Sequence, residues 1–327
     1  MASKNVAKTR ARMLQKIEEG QYYEAHQQLR VVSQRYIKAN DFDSAIDILF
    51  SGAQSLSKAS QYSSAGDLCL LLVEVYKTAK LIPDASSKSR LVELLTALPA
   101  SEPTRKRLIN ESLAWTSKLG PFPAGDPELH HFIGNLLLAD DLYAAEPHFL
   151  VGTKESVDVF TNALYEWYKL DPDKSNAGRY IGRAVFGYLL ARNLRDANRA
   201  LDLFTEKLLT DNKELLENRS RADNIARVEG SDLEVEVISR VPAINFLRLM
   251  CLGCQTGGRD VFEKLKGRYN ASVIKPAGWE EPMSMVGQVY FGVEIPRAFN
   301  PMDMLGGLFG GGGNKTPRGI EGMMDMD

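Results

Sequence analysis

Apolar positions recur at spacings of three and four along most of the chain, the mark of helices that bury one stripe and leave the other wet. Residues 4–19 place Val6, Arg10, Met13, Leu14 and Ile17 on one partly apolar face. The next segment, about 22–39, aligns Ala25, Leu29, Val32 and Tyr36, and the third, about 42–58, turns Ile46, Leu49 and Ala53 inward. In the fourth, about 62–80, the run from Leu68 to Val73 has almost no polar member and predicts burial on most sides. Pro83, Pro99, Pro103, Pro121, Pro123 and Pro127 then delimit helices near 84–98, 103–118 and 127–139, because proline sits in a first turn or just past a helix end. Asp140-Asp141 opens another helix. Pro147 inside it removes an amide donor and clashes with the preceding turn, which predicts a kinked or shortened element. Gly152-Thr153 breaks the chain, Thr153 and Ser156 offer N-cap chemistry for a helix reaching Leu170, and helices follow at about 173–191 and 194–218.

A longer period overlies the helical one. Gly20-Gln-Tyr22-Tyr-Glu-Ala25, Asn40-Asp-Phe42-Asp-Ser-Ala45 and Ser60-Gln-Tyr62-Ser-Ser-Ala65 repeat a break, an aromatic and an alanine at a constant offset of twenty residues. Weaker copies run from Asp140 to Ala145 and from Arg192 to Ala197. The break ends one helix, the aromatic fills the gap between layers, and the alanine allows close approach of two helices. Twenty residues make one helix of about four turns plus a tight connection, so the repeat predicts stacked antiparallel helical hairpins.

Near residue 225 the period changes. From Ile225 to Ile238 apolar and charged residues alternate around Gly230-Ser231, which predicts a β-hairpin, marginal in water unless something covers it. Pro242 ends the strand. A strongly apolar helix is expected over 243–254, a shorter one over 259–269 and a last one over 279–291, closed by Gly292 and Pro296. From Asn300 the chain is Gly- and Met-rich without helical period, the composition of a disordered tail.

Composition changes the picture little. Of 327 residues 25% are charged and 44% hydrophobic, and the net charge of −2 gives no global pull toward nucleic acid. No window approaches the roughly 18 uninterrupted apolar residues of a membrane span, and residues 1–13 lack an apolar signal core. Three cysteines, an odd number, suit a reducing compartment, so a cytoplasmic or nuclear location is expected. The charge is uneven: up to Lys38 there are eight Lys or Arg against three Glu, a local +5 that leaves −7 for the rest. Such an excess is ordinarily a solvated face, with an edge that meets an acidic partner as the alternative. Asp67 and Glu74, seven residues apart, fall on one helix face about 10 Å from each other. With no third polar group nearby, a solvated or partner-binding face outweighs a catalytic carboxylate pair.

Other candidate chemistry is sparse. Cys251 and Cys254 have metal-type spacing but no second pair in their apolar helix, so a structural role is expected and no metal. His130 and His131 are adjacent and point in different directions, which favours surface or interhelix roles. His26 has no nucleophile pattern beside it. The segment Gly310 to Thr316 is similar to a phosphate loop, yet Asn314 replaces the glycine before Lys315, and neither a strand precedes nor a helix follows. No catalytic residue or cofactor is expected.

Several stretches carry a resemblance. They are residues 19–30 with Arg35-Tyr36 and Ala45-Ile46, Asp126-Pro-Glu-Leu129-His130, Phe149-Leu-Val-Gly152-Thr153, Asn245-Phe-Leu-Arg-Leu249, Cys254-Gln-Thr256, and Gly287-Gln-Val-Tyr-Phe-Gly292. In this order, over about residues 10–295, the chain resembles the Golgi-to-ER-traffic protein four family, the cytosolic scaffold of tail-anchored-protein targeting. Pro147 departs from the family's usual polar residue. The resemblance implies an all-α fold, a right-handed α-solenoid of TPR-like antiparallel helix pairs with one β-hairpin at about 224–238. It implies no enzymatic activity. The N-terminal half, residues 1–152, would dock the tail-anchor targeting ATPase in its nucleotide-bound closed state, the family's contact positions falling on Lys38, Asp67 and Glu74.

Residues 153–299 would bind a ubiquitin-like-domain partner and, through it, a glutamine-rich TPR cochaperone that holds the client. The apolar face of the hairpin with the following helix, through Leu233, Val235, Val237, Phe246 and Leu249, is expected to grip an amphipathic helix of that partner. Residues 300–327 form the tail. The expected function is an adaptor for transfer of tail-anchored membrane proteins to ER insertion, with no nucleic-acid binding and no direct membrane insertion. The alternative is a generic helical-repeat subunit of a larger cytosolic particle, of proteasome-lid or signalosome type.

Overall fold

The computed structural model describes residues 2–216, 225–227, 234–236, 238, 240–256 and 258–294. Four helices of 17 residues open the chain: α1 (Ala2–Glu18), α2 (Tyr22–Lys38), α3 (Phe42–Lys58) and α4 (Tyr62–Thr78). The break residue of the repeat is the one that turns the chain. Gly20, Asn40, Ser60 and Arg192 all have positive φ, and so does Lys80, which extends the twenty-residue period with Ile82 in the aromatic's place and Ala85 in the alanine's. At each break two amides return to the ending helix. Asn40 N–H donates to Ile37 O and Asp41 N–H to Tyr36 O, with the same pairs at 20–21, 60–61, 80–81 and 192–193. These bonds satisfy carbonyls that a helix end would otherwise leave orphaned. The alanines Ala25, Ala45, Ala65, Ala145 and Ala197 are fully buried, each donating its amide to the carbonyl four residues back as the next helix starts.

The middle of the chain follows its prolines and acidic caps. Asp84 and Ser87 form a reciprocal capping box for α5 (Ala85–Ala97), Glu102 caps α6 (Pro103–Leu119), and Asp126 caps α7 (Pro127–Leu138). Helix α8 (Leu142–Leu150) has only nine residues, with Pro147 inside it. Helix α9 (Lys154–Lys169) starts after Thr153, whose side chain makes no cap hydrogen bond. A short 3-10 turn precedes α10 (Ala177–Leu190). Helix α11 (Leu194–Asp211) stops short of the expected residue 218, because Asn212 leaves helical geometry and a 3-10 turn takes over at Lys213–Leu216.

Helices contact both their immediate and their next-but-one neighbours. The odd series α1, α3, α5, α7, α9 and α11 touches in sequence, and the even helices touch as α2–α4–α6 and α8–α10–α12. This two-layer arrangement is what helical hairpins make when each covers the apolar face of the last. The buried core falls into two clusters, one running from Val6 to Ile133 and the other from Ala145 to Phe291, with Leu137 packed against both.

After α11 the expected hairpin region contains two three-residue strands, β1 (Ile225–Arg227) and β2 (Glu234–Glu236). They pair antiparallel with Ile225 opposite Glu236, Ala226 opposite Val235 and Arg227 opposite Glu234. The connection 228–233, with Leu233, and Val237 lie outside the described residues, as does the tail from 295 onward. Helices α12 (Pro242–Thr256) and α13 (Arg259–Tyr269) follow. A wide π turn at Asn270–Ile274 then runs into the short α14 (Lys275–Ala277), neither of which the sequence pattern signalled, and α15 (Glu280–Phe291) closes the described chain. Among the described residues no helix is long and apolar enough to cross a membrane.

Candidate interaction surfaces

Helix α4 buries Leu68, Cys69, Leu71, Leu72, Val73 and Tyr76, so its remaining strip, Asp67, Leu70, Glu74 and Lys77, forms one side of a groove with the edge of Leu71. Gly66 sets the width. A Cβ there would lie 2.0 Å from Thr104 Oγ1, so only glycine lets the start of α6 come this close to α4. Arg107 and Glu111 of α6 and Arg30 of α2 complete a groove of about 360 Å³. Asp67 Oδ2 accepts from Arg30 Nη1 at 2.9 Å and faces His26 Nε2 at 2.9 Å. Lys77 donates to Glu111, and that hydrogen bond, with the Lys77 charge behind it, holds the Glu111 carboxyl below its usual range.

The structure thus brings Asp67 and Glu74 to one groove. Glu74 is exposed, whereas Asp67, expected to be open to solvent, is half-buried between its two partners. Lys38 is exposed at the end of α2 and does not line the groove; eight residues, about 12 Å of helix, separate it from Arg30. Arg30, Lys77, Arg107 and Glu111 carried no signal in the sequence pattern, since their neighbours come from helices 34 or more residues away.

The strand pair is held from α12. Asn245 Oδ1 accepts from Ile238 N–H and Asn245 Nδ2 donates to Ile238 O, both at 2.8 Å, so one buried amide satisfies both backbone groups of the residue leaving the strands. The signal for Asn245 in the sequence is a polar residue within a strongly apolar helix. Phe246, expected to face a partner, is fully buried, with ring centroids 5.9 Å from Trp279 and 5.3 Å from Tyr269. It packs beneath the surface. Leu249 is half-buried.

Remaining titratable groups serve packing. Cys251 and Cys254 are buried free thiols, both pushed up to about 12 by burial. His131 Nδ1 lies 2.8 Å from Ser156 Oγ of α9. His130 Nε2 faces the Ala124 carbonyl at 3.1 Å and therefore carries the proton, which leaves its Nδ1 to accept from His148 Nδ1–H at 3.0 Å. Burial lowers the affinity of both rings for a second proton, that of His148 to about 4. Among the described residues no group of three or more His, Cys, Asp or Glu converges as metal ligands.

The family model for Golgi to ER traffic protein 4 matches residues 39–309. Golgi to ER traffic protein 4 of Aspergillus fumigatus is 39% identical over 96% of this chain and 94% of its own length. The Schizosaccharomyces pombe protein of that name is 30% identical over 88% of this chain and 91% of its own. A crystal structure of C. therm. Get4 superimposes with a TM-score of 0.81 at 37% identity, covering 96% of this chain and all of that one. With the family model over residues 39–309 and relatives at 30–39% identity over most of both chains, this chain belongs to the Golgi to ER traffic protein 4 family.

Proposed function

We propose that this chain is a non-enzymatic, cytoplasmic adaptor of Golgi-to-ER traffic, a right-handed TPR-like solenoid that bridges the tail-anchor targeting ATPase and a ubiquitin-like-domain partner. Residues 1–152 take the ATPase and residues 153–299 the partner, and through it the glutamine-rich cochaperone, so that a tail-anchored client passes toward ER insertion. The observation that carries this reading is the separation of two surfaces. The mixed-charge groove of α2, α4 and α6 rests on the first core cluster, whereas the strand pair and α12 rest on the second. An adaptor needs two such sites that do not compete.

On the charged side, Glu74 and Lys38 steer association and Asp67 fixes the positions of Arg30 and His26, so removing these charges slows encounter and weakens binding at low salt. On the other side, Leu233, Val235 and Val237, which alternate with charged residues in the sequence, supply the apolar grip, each aliphatic side chain buried on binding contributing on the order of 1.5–3 kcal/mol before association costs. The test is a paired pull-down at low salt. Asp67→Lys and Glu74→Lys are expected to weaken ATPase capture and leave the partner bound, and Val237→Asp to do the reverse. Unaltered ATPase capture in both charge variants, or the opposite pattern of losses, refutes the assignment.

A further inference from the structure

A second concavity, of about 520 Å³, opens on the C-terminal core cluster and shares no lining residue with the groove of α2, α4 and α6 or with the strand pair. Its walls are helical. Trp167 comes from α9, Tyr180, Gly182 and Phe186 from α10, and Trp279 and Pro282 from the start of α15. The rings stand edge to face. Trp167 meets Tyr180 at 5.2 Å, Phe186 meets Trp279 at 5.3 Å, and the row continues outward to Tyr143, 58% exposed and 5.4 Å from Trp167. Rings set this way make ridges with slots between them rather than a flat floor. Trp279 lies against α10 because Gly182 has no side chain, a Cβ there coming within 2.5 Å of Trp279 Cζ2 and 3.2 Å of its Nε1.

The polar groups of the wall narrow the choice of ligand. Each charged side chain there has a partner within the chain. Arg183 Nε donates to Glu146 Oε2 at 3.0 Å, and Arg179 donates to Pro276 O. Asp171 Oδ2 accepts from the Tyr180 hydroxyl at 2.9 Å and from Asn176 Nδ2 at 3.1 Å. The indole N–H groups of Trp167 and Trp279, by contrast, have no hydrogen-bond partner among the described residues. That of Trp115, the third tryptophan, donates to Leu81 O at 3.0 Å in the other core cluster. The concavity therefore offers aromatic slots and two unspent donors, and it lacks acceptors carried on an apolar chain. A helical ligand cannot supply them, because its carbonyls are bonded internally. An added strand needs a sheet edge, and these walls have none. A polyproline II segment keeps its backbone carbonyls free, and its turn of about 9 Å carries rings that fit between aromatic ridges.

We propose that this concavity binds a proline-rich, polyproline II segment of a partner chain. Its proline rings lie between Trp167, Tyr180 and Trp279, and its carbonyls accept from the two free indole N–H groups. The site is a third docking surface, which does not depend on the other two. The test is nuclear magnetic resonance of the full chain, isotopically labelled at its indole nitrogens and titrated with a decaproline peptide. Trp167→Phe and Trp279→Phe each delete one of the three indole resonances and so assign them, leaving Trp115 as reporter of the fold. Decaproline is expected to shift the Trp167 and Trp279 resonances saturably and to leave Trp115 in place. Trp167→Phe keeps an aromatic face and loses the donor, so it is expected to weaken decaproline roughly three- to tenfold, read at the Trp279 resonance. An alanine-rich helical peptide and a glycine-serine peptide of equal length are expected to shift neither. The absence of a saturable shift at Trp167 and Trp279 overturns the proposal, as does an equal shift with the helical peptide or unchanged affinity in Trp167→Phe. Resonances of the two that move on dilution without peptide also overturn it, by showing a second copy in the concavity.

Discussion

Replacing Asn245 with alanine removes two hydrogen bonds at once: Ile238 N–H, where Ile238 is only 1% exposed, loses the oxygen it donates to, while Ile238 O keeps the Val241 N–H at 3.1 Å. A buried backbone donor or acceptor left unsatisfied costs about 1–3 kcal/mol. One such donor is orphaned, and its carbonyl keeps one of two hydrogen bonds, so the expected loss is about 1–3 kcal/mol. At about 2–4 °C per kcal/mol for a unit of this size, the melting midpoint falls by roughly 2–12 °C. Asn245→Asp separates the two bonds: a carboxylate still accepts from Ile238 N–H but cannot donate to its carbonyl, and the two facing oxygens repel. The aspartate is therefore expected to be at least as destabilising as the alanine at neutral pH. The assay is a circular-dichroism melt combined with amide exchange at Ile238, with Ala45 in the other core cluster as internal reference. Both variants should release Ile238 while Ala45 stays protected. Exchange at Ile238 unchanged in Asn245→Ala, with the melt shifted by less than about 0.5 kcal/mol, would refute the claim that this one side chain pins the strands to α12.

Three further outcomes are expected. The His130–His148 pair is neutral in the folded chain and its proton affinity is depressed, so the unfolded chain takes up protons first. Stability is then complete above about pH 6.5 and falls as pH drops toward about 4, by on the order of 2 kcal/mol for His148 after allowing for its partial exposure, and His148→Phe should flatten that slope in urea titrations across the range. Gly66→Ala drives a methyl into Thr104 and should destabilise by about 1–3 kcal/mol, with Thr104→Gly in the same chain restoring part of the loss; an unshifted urea midpoint for Gly66→Ala alone contradicts the close approach of α4 and α6. Solution scattering should give a radius of gyration well above the roughly 20 Å of a compact domain of this length, and a value at that limit would count against an elongated stack.

Most of the helices were legible because their signals are local. Apolar spacing of three and four, a break at Gly20, Asn40 or Ser60 and a buried alanine five residues on all act within a turn or two, so a single stretch of chain contains the cause and the effect. The same locality put Asp67 and Glu74 on one helix face, a relation that α4 alone fixes. Where local rules were silent, the helix ends moved: α11 stops at Asp211, and the π turn at Asn270–Ile274 carries no period of its own. What only the tertiary structure decided are meetings across long separations. Arg30 reaches Asp67, Lys77 reaches Glu111 and Arg183 reaches Glu146, each pair 34 to 37 residues apart. Asp67 is held rather than free, and Phe246 is packed under Trp279 rather than presented, for the same reason. Burial and pairing depend on which helix lies alongside, and that is set by how the layers stack, through contacts such as Gly66 on Thr104 and Gly182 on Trp279 that leave no period in the sequence.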